Sequence, residues 1–273
     1  MAFVDSCYRN WNTGGKKLFF RGHADEKWDL LPAVLRPLAD GTFQNERALI
    51  MDYKQVSVNE MNYRNKIENI LVEMQHLCMP TRLLDWSLSP LVALYFACQK
   101  HVDKKTGMET DGAIYALNPW ESFRSIVAKL DNHPEIMDIL KESRMLLAQK
   151  WELNEIKEFI QRKYAYEITK DALRAPLPFV GRYMVDRVAS QHSGFLLWGD
   201  GDAQGYGFNI YTRLEKFPEY DDCLSEKFII RTDMKEELLV FLRQMGVDNF
   251  TIFPDKFGMK KEIEEVGNLF HYK

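Results

Sequence analysis

The chain has 273 residues, enough for one or two domains, with 46% hydrophobic, 28% charged and 13% aromatic residues and a formal net charge of −4. A mildly acidic balance excludes nucleic-acid binding by bulk charge and leaves room only for a local basic patch. There is no run of about 18 apolar residues to span a membrane, and Met1 to Cys7 lacks the basic and apolar stretches of a signal peptide. Cys7, Cys78, Cys98 and Cys223 are far apart and form no CxxC pair, which points to a reducing, cytoplasmic setting without a zinc site.

In chain order, Leu18-Phe19-Phe20 reads as a buried strand opening at Arg21-Gly22. Asp25 to Leu38 carries Pro32 and Pro37 and reads as a loop with short helical turns. Glu46 to Gln75 reads as two helices, after which Pro80 turns the chain extended. Ser89 then caps a buried helix whose first helical position is Pro90. Gly112 to Leu117 is a strand ended by Asn118-Pro119. Pro134 to Arg144 and Trp151 to Lys163 are amphipathic helical candidates, together a helical insertion over about 120–175.

Beyond them the chain is extended around Arg174 to Pro178, and Phe195 to Trp198 is a buried strand followed by the turn Gly199 to Asp202. Lys227 to Arg231 is a strand. Asp233 and Glu236 form a capping box for a helix that ends before Gly246. Phe250 to Phe253 reads as a strand and Lys260 to Val266 as a last helix. Dispersed strands that do not alternate strictly with helices give a mixed α+β class and argue against a doubly wound parallel sheet.

Three polar clusters adjoin buried elements. The first is Arg21-Gly22-His23, where a charge at the end of an apolar strand needs a partner or a ligand, and the glycine lets a ligand approach the backbone. The second is Thr81 to Ser87, which sets Arg82, Asp85 and Trp86 within one short stretch, preceded by Gln75-His76. The third runs from Arg187 to Phe195 and contains Gln191 and His192. The bland alternatives are a buried ion pair for Arg21, an Arg82–Asp85 pair anchoring the next helix, and a helix end turning at Gly194. No P-loop, dinucleotide glycine motif, zinc-protease motif or nucleophile elbow is present.

These residues resemble the FRG domain family. Phe19-Phe20-Arg21-Gly22 is similar to its name-giving motif. Gln75-His76 through Pro80 to Ser87, followed by Ser89 to Ala97, resembles its central motif. Arg187 to Phe195 and Phe253-Pro254-Asp255 resemble its later segments, so the likeness runs over about 17–265. Cys78 stands where the family usually has Gly, and Ser87 where Thr is common.

A second resemblance, to ADP-ribosyltransferases, follows the order of the clusters. Those enzymes carry Arg or His before Gly on a first strand, a Ser/Thr strand leading into an apolar helix, and Glu or Gln on a third strand. The resemblance implies one domain over 1–273, with an ADP-ribosyltransferase-like split β-sheet core, flanking helices and the helical insertion. It also implies NAD as substrate and no metal. Arg21, Asp85 and Gln191 would be catalytic, with Glu226 another candidate carboxylate. Arg21, Gly22, His23, Gln75, His76, Thr81, Arg82, Trp86, Ser87 and Tyr95 would bind NAD, with Trp86 or Tyr95 stacking on the nicotinamide. The acceptor would be a nucleic acid, RNA rather than DNA, or a protein. A bacterial toxin–antitoxin or phage-defence toxin is the implied role, with an antitoxin partner on the insertion. A basic patch for a nucleic-acid acceptor would draw on Arg124, Lys129, Lys150, Arg162, Lys163 and Arg174. The rival readings are a non-catalytic module holding a nucleotide or phosphate through Arg21, Arg82 and His76, and a nuclease, which the unclustered carboxylates disfavour.

Overall fold

A computed structural model describes residues 2–11, 17–56, 67–128, 175–179, 191–198 and 213–269. Six strands share one sheet: β1 (Phe19–His23), β2 (Leu83–Ser87), β3 (Gly112–Leu117), β4 (Leu177–Phe179), β5 (Ser193–Leu197) and β6 (Phe228–Ile230). Their order is β4-β5-β2-β1-β3-β6, and every neighbouring pair is antiparallel. The mixed α+β class holds.

The ladders are unequal. β1 and β3 pair over five residues, from Phe19↔Leu117 to His23↔Ala113, and β2 and β5 pair over five, from Leu83↔Leu197 to Ser87↔Ser193. Between β1 and β2 the register records the single pair Phe20↔Ser87. Two three-stranded halves therefore meet at one point, and beyond it Arg21 and Asp85 lie on strands that no longer pair.

Strand alternation sends neighbouring residues to opposite faces. Phe19, Tyr115 and Leu117 join a core with Trp86, Phe195 and the Leu30 to Leu35 segment. Phe20, Ile114 and Ala116 join a second core with Ala93, Ala97 and Cys98. The helix that carries these alanines, Pro90–Ala97, is apolar all round because it is covered twice, by the sheet and by Leu242 and Ile252 on its far side.

In chain order the helices are α1 (Ala2–Asn10), α2 (Glu46–Val56), α3 (Ile67–His76), α4 (Pro90–Ala97), α5 (Pro119–Ala128), α6 (Lys235–Gln244), α7 (Asn249–Ile252) and α8 (Lys256–Leu269). Ser89 occupies the N-cap of α4 and Pro90 its first turn, but the Ser89 side chain makes no cap bond. Instead Ser87 Oγ accepts the Ser89 N–H at 3.0 Å. Asn118 both ends β3 and accepts the Trp120 N–H at 3.2 Å at the start of α5.

The C-terminal segment corrects three expectations. Phe250 to Phe253 is not a strand: α7 forms there. Asp248 accepts the Thr251 N–H at 2.7 Å while Thr251 Oγ1 accepts the Asp248 N–H at 2.8 Å, a reciprocal capping box. The box expected at Asp233 and Glu236 does not form, because Asp233 pairs with Arg231 at 2.7 Å and a 3-10 turn over Thr232–Met234 precedes α6. The last helix starts at Lys256, earlier than expected. Gly246, at φ 77°, follows the end of α6 as predicted. The candidate helices at 134–144 and 151–163, the turn at 199–202, and Lys129, Lys150, Arg162, Lys163, Arg174 and Arg187 lie outside the described residues.

Candidate functional site

The polar centre lies where β1 and β2 stop pairing. Arg21 donates from Nε to His23 Nε2 at 2.8 Å and from Nη1 to the Asp85 carbonyl. The guanidinium thus takes a β2 carbonyl two residues past the last β1–β2 pair. Its Nη2 amino group donates to no described residue. Burial draws the Arg21 pKa down to about 10, the Asp85 charge opposes this, and the neighbouring Arg36 charge adds to it.

Asp85 is held from α3. Thr81, fully buried, donates its hydroxyl hydrogen to Gln75 Oε1, and Gln75 Nε2 donates to Asp85 Oδ2 at 2.7 Å. The Asp85 carboxylate only accepts, so the Gln75 NH2 must face it, and the amide oxygen is left to accept from the Thr81 hydroxyl. The charge of Asp85 in turn supports Arg21 and Arg36 as cations.

His23 is 2% exposed and packs between Tyr115, at 5.7 Å between ring centres, and Trp28, at 5.9 Å. Burial, then the charges of Arg21 and Arg36, push its pKa down to about 2, so the imidazole is neutral. Tyr115 pairs with Arg21 in the β1–β3 register, and burial raises its hydroxyl to about 12. Trp86 is buried at the same core, and its indole Nε1 has no acceptor among the described residues.

Arg21, His23, Gln75, Thr81 and Asp85 are therefore brought together. Other expected residues stand elsewhere. Gly22 faces α4: a Cβ there would lie 1.8 Å from the Ala93 carbonyl oxygen, so close helix packing requires the glycine and no ligand need approach it. Arg82 does not pair with Asp85. Its Nε and its backbone N–H, the latter at 2.7 Å, both bond the Glu46 carboxylate, and this pair joins α2 to the start of β2. Tyr95 lies on the far side of α4, 2% exposed, with its hydroxyl on Asn249 Oδ1 at 2.5 Å.

Ser87 Oγ donates to the Gln191 carbonyl at 2.6 Å, and the Gln191 side chain donates to the Ile252 carbonyl at 3.3 Å. Gln191 precedes Ser193, the partner of Ser87, whereas Arg21 lies past Phe20 in the other direction. Strand spacing and rise separate the two by on the order of 10 Å. His76 closes α3. Glu226 is exposed just before β6, on the opposite side of β3 from β1. Arg124 is exposed and pairs with Glu121 at 2.8 Å.

Two neighbours escaped sequence reading. Arg36 donates from Nε and Nη2 to the Leu31 carbonyl at 3.0 and 2.8 Å, and its charge reaches Arg21 and His23. A lone arginine before Pro37 in a broken apolar stretch gives no local signal; only the fold brings it to β1. Tyr115, inside an apolar strand, looks like any core aromatic until the register sets it opposite Arg21.

No described helix is long and apolar enough to cross a membrane, and no group of three or more His, Cys, Asp or Glu among the described residues is placed to hold a metal. No curated protein and no solved structure matches the chain. The FRG domain family model matches residues 16–106, the stretch holding β1, β2, α4 and the Arg21–Asp85 cluster; the segments at 187–195 and 253–255 fall beyond it. Over residues 16–106 the chain carries an FRG domain.

Proposed function

We propose that this chain is an NAD-dependent ADP-ribosyltransferase, acting as a toxin in a bacterial toxin–antitoxin or phage-defence system on a nucleic acid, RNA ahead of DNA, or on a protein. The observation that carries the reading is Arg21: a partly buried guanidinium at the point where β1 and β2 part, with Nη2 donating to no described residue and Asp85 beside it. A cation so placed suits a phosphate or ribose oxygen of a dinucleotide. The adjacency of β5, β2 and β1 is in keeping with an ADP-ribosyltransferase-like split sheet.

In the reaction the bond from the ribose anomeric carbon to the nicotinamide nitrogen breaks, and its electron pair leaves with nicotinamide. The acceptor then bonds that carbon and loses a proton. The Asp85 carboxylate, fixed through one oxygen by Gln75, is suited to offset the oxocarbenium charge and to take that proton.

One observation favours the rival reading of a non-catalytic nucleotide- or phosphate-binding module. Gln191, the third-strand residue, bonds Ile252 instead of joining Arg21. Incubating the protein with labelled NAD and cell lysate separates the two. Nicotinamide release with label transfer, lost in Arg21→Ala, is the expected result. NAD binding without release under any acceptor condition would instead establish the binding module. Growth arrest on expression, relieved by Arg21→Ala, is expected of the toxin.

A further inference from the structure

We infer that His23 is the positioning residue of Arg21: a neutral imidazole, carrying its proton on Nδ1, accepts the Arg21 Nε hydrogen and turns the Nη2 edge, which donates to no described residue, toward a ligand oxygen. The inference concerns the geometry of Arg21, and only its NAD readouts rest on the transferase reading.

The chemistry of the contact fixes the tautomer. An arginine Nε is only ever a donor, so the nitrogen facing it at 2.8 Å must be a bare acceptor. With Nε2 bare, the one remaining proton of the neutral ring sits on Nδ1. The ring is buried and packs between Tyr115 and Trp28. Burial is the main effect that opposes a second proton; among the described residues the charges of Arg21, Arg36 and Lys227 add to it, and the Trp28 backbone acts the other way without outweighing them. The Tyr115 hydroxyl stays neutral and offers no counter-charge.

With Nε held by His23 and Nη1 held by the Asp85 carbonyl, the guanidinium plane is fixed at two points on different strands. Two-point fixation gives the group a single orientation without spending Nη2. Loss of the His23 acceptor would leave Nε–H without a partner and let the plane swing about Nη1. The effect expected is weaker ligand binding with the charge still present, which distinguishes a positioning residue from a direct contact.

The test uses the full chain. Nitrogen-15 NMR of labelled histidine should show His23 Nε2 as a bare, pyridine-type nitrogen and Nδ1 as a protonated, pyrrole-type one, unchanged from pH 8 to pH 5. The His23→Gln variant, whose side-chain oxygen can still accept from Nε, should keep NAD affinity near that of the unaltered chain. The His23→Leu variant should lose about tenfold or more in NAD affinity, with KM rising more than kcat falls. A protonated Nε2, titration of the ring between pH 8 and pH 5, or a folded His23→Leu chain that binds NAD as the unaltered chain does would each overturn the inference. If the unaltered chain binds no NAD, the transferase reading fails, and the tautomer and the Arg21 Nε resonance in His23→Gln still decide the role of His23.

Discussion

Strand β1 has two unlike faces one residue apart. Gly22 lies so close to α4 that no side chain fits, and Phe20, Ala93 and Ala97 share that core. Arg21 and His23 point the other way, into a cluster of charge, hydrogen bonds and aromatic rings. The first face holds the helix to the sheet through shape. The second keeps polar groups in place through directed bonds, and its Arg21 Nη2 edge has no acceptor among the described residues. The difference teaches that the motif Phe-Phe-Arg-Gly-His combines two functions by alternation: Phe20 and Gly22 pack toward α4, while on the opposite face Phe19 continues the core and Arg21 and His23 present chemistry.

The contrast is broken most severely by Gly22→Ala. Its Cβ would meet the Ala93 carbonyl at 1.8 Å and the Ala97 backbone nitrogen at 2.8 Å, and helix backbone cannot give way as a side chain end does. The expected loss exceeds the ~1–3 kcal/mol usual for overpacking. Urea unfolding measures it, and an unchanged midpoint would show that α4 does not lie against β1 in this way.

Where α2 meets the start of β2, Glu46→Ala removes a carboxylate that holds Arg82, without any clash. Glu46 is 1% exposed, so breaking this buried pair should cost about 3 kcal/mol, read by the same unfolding experiment. A loss well below 1 kcal/mol would mean that water already reaches the pair. Tyr95→Phe sharpens the contrast from the side of α4 away from the sheet. Losing the hydroxyl on Asn249 should cost about 1 kcal/mol and leave NAD binding unchanged; weakened NAD binding would bring Tyr95 back to the site.

The smallest effect is a shallow acid slope. Burial raises the Glu262 pKa, but hydrogen bonds from Asn249 and Arg243 outweigh it, so the group titrates below its ordinary value. A carboxyl lowered in the fold contributes stability that is complete above the unfolded value, near 4.3, and is lost as the pH falls through the folded one. Glu262→Gln should flatten that part of the stability profile; an unaltered slope would assign it to other carboxyls.

Much of this was readable from residue types. The strand Gly112 to Leu117, the Pro90 start of α4, the Gly246 stop and the extended stretch after Pro80 follow from local rules that the fold respects. Phe250 to Phe253 misled because four apolar or β-branched residues read as a strand, while the deciding signal, Asp248 and Thr251 three apart, lay at their edge. At the site, Arg21 and Asp85 were visible as charges beside apolar runs. Gly22 was visible too, but its reason was not, since only the helix position shows what fills the missing Cβ. Sequence proximity sets Arg82 against Asp85, whereas the carboxylate that holds it, Glu46, is 36 residues away. Pairings of that kind depend on how α2 packs, and sequence spacing does not encode it.

The most direct test of the account is calorimetric titration of NAD into the unaltered chain, Arg21→Ala and Tyr95→Phe. The account predicts saturable binding that Arg21→Ala abolishes and Tyr95→Phe preserves. Equal affinity for the unaltered chain and a folded Arg21→Ala chain, or no binding to either, would contradict the assignment of the opening between β1 and β2 as the NAD site.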